Sequence, residues 1–293
     1  MPQADSESRR KDSRVVAALL RDRRGDLTRA ELRVAQALLR DYPAAGLQPI
    51  AGLAAASGVS GPTVVRLFAK LGYASYSHLQ RQLRSELSAR TSGPVQLYPP
   101  PGHDSTARRQ LLVRLERHLS HAVADTLRSV DENDLERAVT LLSDRTRPVL
   151  LTGGRASIAH AYYMATYLQL LRPGVSFLGL GRAPRTAALL DVDRAHVLVV
   201  FDFHRYERET VEFGRAAAAR GGTLILFTDT YLSPLASSAD VLLTAAVDGL
   251  RPFITLTPVL ALVETTTMSV AERIGPDGRD RLADFDELNS GSV

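Results

Sequence analysis

Ile50-Ala51-Gly52-Leu53-Ala54-Ala55-Ala56-Ser57-Gly58-Val59-Ser60-Gly61-Pro62-Thr63-Val64-Val65-Arg66-Leu67-Phe68-Ala69-Lys70-Leu71-Gly72-Tyr73 reads as two short helices folded about one glycine. Ile50, Leu53, Ala54 and Ser57 share a face of the first helix. Gly58 can end that helix, because a residue without Cβ enters left-handed backbone without a steric cost. Ser60 stands as the cap of the second helix, with Pro62 in its first turn, where a missing N–H is no loss. This helix runs through Val64, Val65, Leu67 and Phe68 to Leu71-Gly72. Ala54 and Ala55 are small where two helices must cross closely, and Val59 plugs the space beneath the turn. Upstream, Leu32, Ala35, Leu38 and Leu39 form a helical stripe, with Thr28 as N-cap and Glu31 closing a capping box. Pro43 lies beyond its end, and a last helix covers about Tyr76 to Leu87. The first 90 residues are thus expected to be an all-α helix-turn-helix domain.

The distribution of charge points to what this domain faces. Residues 1–90 hold 15 Arg and Lys against 8 Asp and Glu, while the rest of the chain holds 21 against 24, for +4 overall. From Tyr42 to Ser85 there is no acidic residue, but Arg66, Lys70, Arg81 and Arg84 are present. A helical segment carrying one sign of charge suits a polyanion, although a merely solvated basic face has the same composition. The second helix would turn Ser60, Gly61, Thr63, Val64, Arg66 and Lys70 toward the major groove of double-stranded DNA or its phosphates. Such a helix fits the groove with its N-terminal residues nearest the base edges. Arg66 can pair bidentately with guanine or clamp a phosphate, and Lys70 suits a phosphate. Structural helical bundles make the same turn, so the acid-free stretch and a second domain that reads as a sensor are what tip the reading toward DNA.

Proline and glycine mark the next boundary. Gly93-Pro94 and Tyr98-Pro99-Pro100-Pro101-Gly102 deny the backbone helical torsions and donors, so residues 91–107 read as a linker. Two helices follow, one with Leu111, Leu112, Leu115, Leu119 and Val123 on a face and one over Asp134 to Ser143. From Pro148 the pattern changes to short apolar runs at 149–152, 175–178, 197–201, 224–227 and 241–243. They alternate with helical stretches at 156–171, 185–190, 207–220 and 254–273. Apolar runs without polar alternation suit strands covered on both faces, hence an α/β domain with a doubly wound parallel sheet over 108–274. Residues 275–293 are charged, close on Asn289-Ser290-Gly291-Ser292-Val293, and are expected to be disordered.

Several functional classes drop out. Without cysteine there are no disulfides or thiolate metal sites. No apolar run is long enough to span a bilayer and the first residues are polar, so no membrane partner and a cytoplasmic location are expected. The seven histidines show no ligand spacing, so neither a metal nor a cofactor is expected.

The stretch from Leu27 to Leu87 resembles the helix-turn-helix of RpiR-type (MurR/RpiR) regulators. The likeness rests on the Leu32–Leu39 helix, the turn unit at 50–63, Arg66 with Leu71-Gly72-Tyr73, and Ser75-Tyr76 before the last helix. In that family a sugar-isomerase-like (SIS) domain follows, and the order of elements over 108–274 is similar to it. The resemblance implies a homodimer or tetramer on a palindromic operator, with a small-molecule effector in the SIS domain shifting DNA affinity.

Ligands of doubly wound sheets bind outside the carboxyl ends of the strands, which selects three loops. Gly153, Gly154 and Ser157 form a glycine turn into a helix N-terminus, where backbone N–H groups can hold an anion; the glycines can equally serve packing. Asp202, His204 and Arg205 follow the strand ending at Phe201. SIS domains that bind sugar phosphates resemble one another here in a Ser-x-Ser-Gly-x-Thr pattern. An ungapped match puts Asp202, His204, Arg205 and Glu207 at its four defining positions, with no hydroxyl and no glycine among them, which argues against a sugar phosphate. Arg205 or His204 can still hold a carboxylate or phosphate through charge-assisted bonds, and Asp202 can engage an amine. The alternative is an internal salt-bridge cluster in a purely dimerising domain. Thr228 is the candidate from the third loop. Among possible bases, His160 lies on an otherwise apolar helix and Glu264 on the last one. With the phosphate loop rewritten, an isomerase-like enzyme is the weaker reading and no catalytic residue is assigned. A constitutive DNA binder is the third class. Effector, operator and sign of regulation are not legible.

Overall fold

The computed structural model describes residues 15–91, 105–249 and 253–291. They form two compact units, residues up to 93 together with Thr230–Ser237, and residues from 94 onward with that segment left out.

The first unit is helical: α1 (Val16–Asp22), α2 (Arg29–Arg40), α3 (Ala44–Leu47), α4 (Ile50–Ser57), α5 (Gly61–Lys70) and α6 (Tyr76–Thr91). Thr28 caps α2 as a complete capping box: its side chain accepts from Glu31 N–H and the Glu31 carboxylate accepts from Thr28 N–H. Two of the four orphan donors of the helix start are thereby satisfied. Leu38, Leu53, Leu67, Phe68, Leu79 and Leu83 fill one core shared by α2 and α4–α6. Burial of such side chains contributes roughly 1.5–3 kcal/mol each, more than propensity gives helices this short.

The second unit begins with α7 (Ser105–Ser129) and α8 (Glu132–Ser143). The linker expected over 91–107 falls mostly outside the described residues, and helix occupies both of its edges. Next come β1 (Val149–Gly153), α9 (Ile158–Leu171), β2 (Val175–Phe177), α10 (Arg182–Asp191), β3 (Val197–Phe201), α11 (Arg208–Ala219), β4 (Thr223–Asp229), β5 (Val241–Ala245), α12 (Thr257–Ile274) and α13 (Pro276–Asn289). All strands pair in parallel, in the order β2-β1-β3-β4-β5, with Gly153 beside Phe201 and Phe201 beside Phe227 in register. The doubly wound sheet expected from the apolar runs is present. Side chains alternate across it: Val197, Val199 and Phe201 join the core beneath α8, α9 and α12. Leu198 and Val200, equally buried, point the other way, as the two-residue period requires.

One expectation is corrected here. The tail taken to be disordered after residue 275 is the helix α13. Pro276 opens it, Arg145 pairs with Asp277 at 2.5 Å, and Arg281 Nε donates to the Gln169 carbonyl at 3.0 Å. Docking against neighbouring elements, not an apolar stripe, holds this charged segment helical.

Candidate functional sites

The turn between α4 and α5 rests on Gly58, which has φ 60° and ψ 39° and donates its N–H to the Ala54 and Ala55 carbonyls. Val59 N–H follows onto Ala54 O at 3.0 Å. The two helices are bent by 98° at this break, within the range of a helix-turn-helix.

On α5 the core side is Val64, Leu67 and Phe68, an i, i+3, i+4 stripe. Val64 is 0% exposed, so it cannot reach a base edge, and its assignment to the reading face is corrected. Its neighbour Val65, 42% exposed, occupies that face instead, with Arg66 and Lys70. A helix rotates about 100° per residue, and that step separates core from surface within the Val64-Val65 pair. Ser60 sits at the N-cap position without capping a backbone N–H; its Oγ lies 3.0 Å from Thr63 Oγ1. Thr63 is itself nearly buried and accepts from Arg66 Nη2 at 3.2 Å. The guanidinium is thereby drawn toward the N-terminal end of α5, where groove reading is concentrated. Lys70 Nζ reaches the Asp26 carbonyl at 2.5 Å and Glu31 at 3.3 Å. The Thr28 backbone N–H holds the Glu31 carboxyl below its usual range, and Lys70 adds to this. Lys70 therefore ties the end of α5 to the start of α2, while Ser60, Gly61, Val65 and Arg66 form the open part of the face.

In the second unit the strand order reverses between β1 and β3, and the two loops there form the switch point. A Cβ on Gly153 would lie 3.0 Å from Phe201 Cβ and 3.1 Å from its carbonyl, so glycine lets the turn close on β3. Gly154 N–H and the Ser157 hydroxyl both donate to that carbonyl, at 2.9 and 2.7 Å. Ser157 thus spends its proton on the fold and keeps acceptor capacity. The loop after β3 is held by carboxylates. Asp202, 1% exposed, accepts from Glu207 N–H at 3.2 Å. Asp229, fully buried at the end of β4, accepts from His204 N–H at 2.6 Å and Tyr206 OH at 2.7 Å. Arg205 sits exposed at the crest with φ 80°, a left-handed backbone that costs a side-chain-bearing residue energy and often marks a functional turn. Gly153, Gly154, Ser157, Asp202, His204 and Arg205 are thus brought to one edge. Thr228, fully buried, precedes Asp229 at the end of β4.

One residue of this edge went unassigned in the sequence. Arg185, from α10, is 3% exposed. Its Nη2 donates to the Gly153 carbonyl at 2.7 Å and Thr152 Oγ1 at 3.1 Å, and its Nη1 to Thr210 Oγ1 at 3.2 Å. The guanidinium carbon lies 5.9 Å from the centroid of Phe213. Nothing in Arg182-Ala183-Pro184-Arg185 separates a surface arginine from a buried one; only packing does.

His160 Nε2 lies 3.2 Å from the Leu256 carbonyl, so that nitrogen carries the proton, and burial holds the ring's pKa below its usual value. Glu264 accepts from Tyr163 OH at 3.0 Å. Among the described residues no group of three His, Cys, Asp or Glu could hold a metal, and no single helix is long and apolar enough to cross a membrane.

Residues 15–90 match the helix-turn-helix domain of the rpiR family, and residues 141–269 match the SIS domain. Similar solved structures include the sugar isomerase domain of an RpiR transcription factor from Sphaerobacter thermophilus, 26% identical with a TM-score of 0.57, covering 61% of this chain and 99% of that one. The NanR protein of Vibrio vulnificus complexed with ManNAc-6P is 19% identical with a TM-score of 0.53, covering 94% of this chain and 99% of that one. A ligand-bound protein of E. coli CFT073 is 19% identical with a TM-score of 0.51, covering 60% of this chain and 97% of that one. No curated protein matches the chain.

Proposed function

Because the chain belongs to the rpiR family, with a SIS domain behind its helix-turn-helix domain, we propose that it is a sequence-specific transcription regulator whose SIS domain senses a small anionic metabolite. The observation that carries the DNA half is α5, an acid-free helix whose open face presents Ser60, Gly61, Val65 and Arg66 beside a 98° turn. Val65 offers an apolar contact for a thymine methyl, and Arg66 a fork for guanine or phosphate. A regulator of this kind works where the chromosome is, which for a bacterial-type regulator is the cytoplasm. Tyr162, Tyr167 and Met268, exposed on α9 and α12, offer an apolar face for a homodimer or tetramer, the assembly a palindromic operator calls for.

The effector half rests on the switch-point edge, where the glycine turn at the start of α9 meets the loop that carries His204 and Arg205, with Glu207 of that loop beside Gly154. The NanR neighbour holds ManNAc-6P, which makes a phosphorylated sugar the first class to test, although the hydroxyls of the usual phosphate loop are replaced here. We hold the SIS unit to be a sensor without catalysis. Glu264 pairs with Tyr163, His160 hydrogen-bonds a backbone carbonyl, and Glu207, the carboxylate beside Gly154, pairs with Arg155 at 3.8 Å, so each candidate base is engaged within the protein.

Two substitutions test the halves separately. Arg66→Ala is expected to weaken operator binding by about 1–3 kcal/mol if it reads a base. Wild-type affinity in a titration of labelled operator would remove Arg66 from the reading face. Arg205→Ala is expected to spare DNA binding and abolish the response to effector. An operator complex of this variant that still responds to the metabolite would place the ligand elsewhere.

A further inference from the structure

We propose that Arg185 determines the ligand class of the switch-point site, supplying from below the positive charge that an oxyanion of the effector, a phosphate or carboxylate group, neutralises. This rests on the anion-sensing reading above and names the group that carries it.

Arg185 is almost fully buried, yet among the described residues no carboxylate oxygen comes within 4.0 Å of its nitrogens. Its hydrogen bonds go to neutral oxygens only, those of Thr152, Gly153 and Thr210, and its Nε–H has no partner. Burying a cation without a paired anion is costly, as is leaving a buried donor unmade, so a chain that keeps both has a use for the charge. Burial lowers the guanidinium's pKa, while Glu209, Glu207 and Asp202 act on it at longer range in the opposite sense. An arginine stays protonated under such pressure, so the charge is permanent.

Its position completes the argument. Nη2 grips the last residues of β1, directly beneath the turn whose chain continues into the N-terminus of α9. Nη1 grips Thr210 in the first turn of α11. One guanidinium therefore joins both loops of the switch point, and the positive end of the α9 dipole lies over the same turn. With serine and threonine hydroxyls and glycine absent from the loop at 202–207, a buried arginine takes over the task of attracting the anion. An anion seated there would bind Arg185 and both loops together.

The test uses the full-length protein and thermal protection of its second unit by inorganic phosphate and by acetate, each against sodium chloride at matched ionic strength. The wild type is expected to gain stability with phosphate or acetate beyond the chloride control, and the better of the two names the oxyanion. Arg185→Met, close in shape and uncharged, is expected to weaken that protection about 10- to 100-fold in apparent affinity. Arg182→Met, an exposed change on the same helix, should leave it unaltered. Arg185→Lys keeps the charge and loses the fork, so it should show weakened but measurable protection, and it decides the matter if the methionine variant does not fold. Arg185→Met or Arg185→Lys with wild-type anion protection would remove Arg185 while leaving the anion site standing. A wild type protected no better by either oxyanion than by chloride would overturn the anion reading itself and this proposal with it.

Discussion

Replacing Phe68 with alanine is expected to destabilise the helix-turn-helix unit by about 3–5 kcal/mol and to abolish operator binding under conditions where the wild type binds. Phe68 is 1% exposed, and its ring lies 6.1 Å from that of Tyr76 at a tilt of 55°. Tyr76 in turn donates its hydroxyl to the carbonyls of Gly46 and Gln48, at 3.1 and 3.0 Å. The phenyl ring therefore holds α5 against α6, and α6 against the chain between α3 and α4. Its loss leaves a cavity on the inner side of the helix that carries Arg66. In a melt of the full chain followed by circular dichroism, the transition of the helical unit should fall while that of the sheet unit holds. A variant with both transitions unchanged would contradict this account of the core.

Glu86→Ala is the second large effect, about 3 kcal/mol against the same unit. Glu86 is 3% exposed, yet it accepts from Val16 N–H at 3.0 Å, from Gln82 at 3.2 Å and, in a very short bond, from Tyr42 OH. Burial, followed by the Glu86 charge, drives the Tyr42 pKa far above its usual value, so the phenol stays a donor. The carboxylate from α6 thus accepts at the buried start of α1, where an anion also suits the helix dipole. Alanine leaves Val16 N–H and the Tyr42 hydroxyl without that acceptor. Hydrogen exchange over residues 16–22 should accelerate markedly in the variant. Unaltered protection there would show that α1 is held by its apolar contacts alone.

The parts that the sequence made legible are those governed by local or strictly periodic physics. Gly58 needs a left-handed backbone, Thr28 and Glu31 cap each other three residues apart, and the runs at 197–201 and 224–227 have the composition of strands covered on both faces. Each of these requirements is visible in a short window. What stayed hidden depends on tertiary partners. Val64 and Val65 are the same residue type side by side, and only the seating of α5 on Leu38, Leu53 and Leu79 decides which faces outward. The helix after Gly275 carries its charge on most faces, and it is held by Arg145 and Gln169, residues more than a hundred positions away. Arg185 resembles Arg182 until the sheet is assembled. Likewise Asp202 reads as a free carboxylate in the loop, whereas the fold turns it inward to hold Glu207 N–H. The candidate loops could therefore be placed at the carboxyl ends of the strands, while the buried Arg185 and the carboxylates that anchor the loop after β3 could not be foreseen.

The most direct test of the central claim is fluorescence anisotropy of a labelled DNA fragment from upstream of the protein's own gene, titrated with the full-length protein. Unrelated DNA serves as competitor, and the titration is run at two salt concentrations because phosphate contacts alone make affinity fall steeply with salt. A sequence-specific regulator predicts saturable binding that survives the competitor at both salts and that an anionic metabolite then shifts. Binding lost entirely to the competitor would contradict specific regulation and leave an architectural DNA binder. Absence of binding even at low salt would overturn the assignment of α5 as a DNA-reading helix.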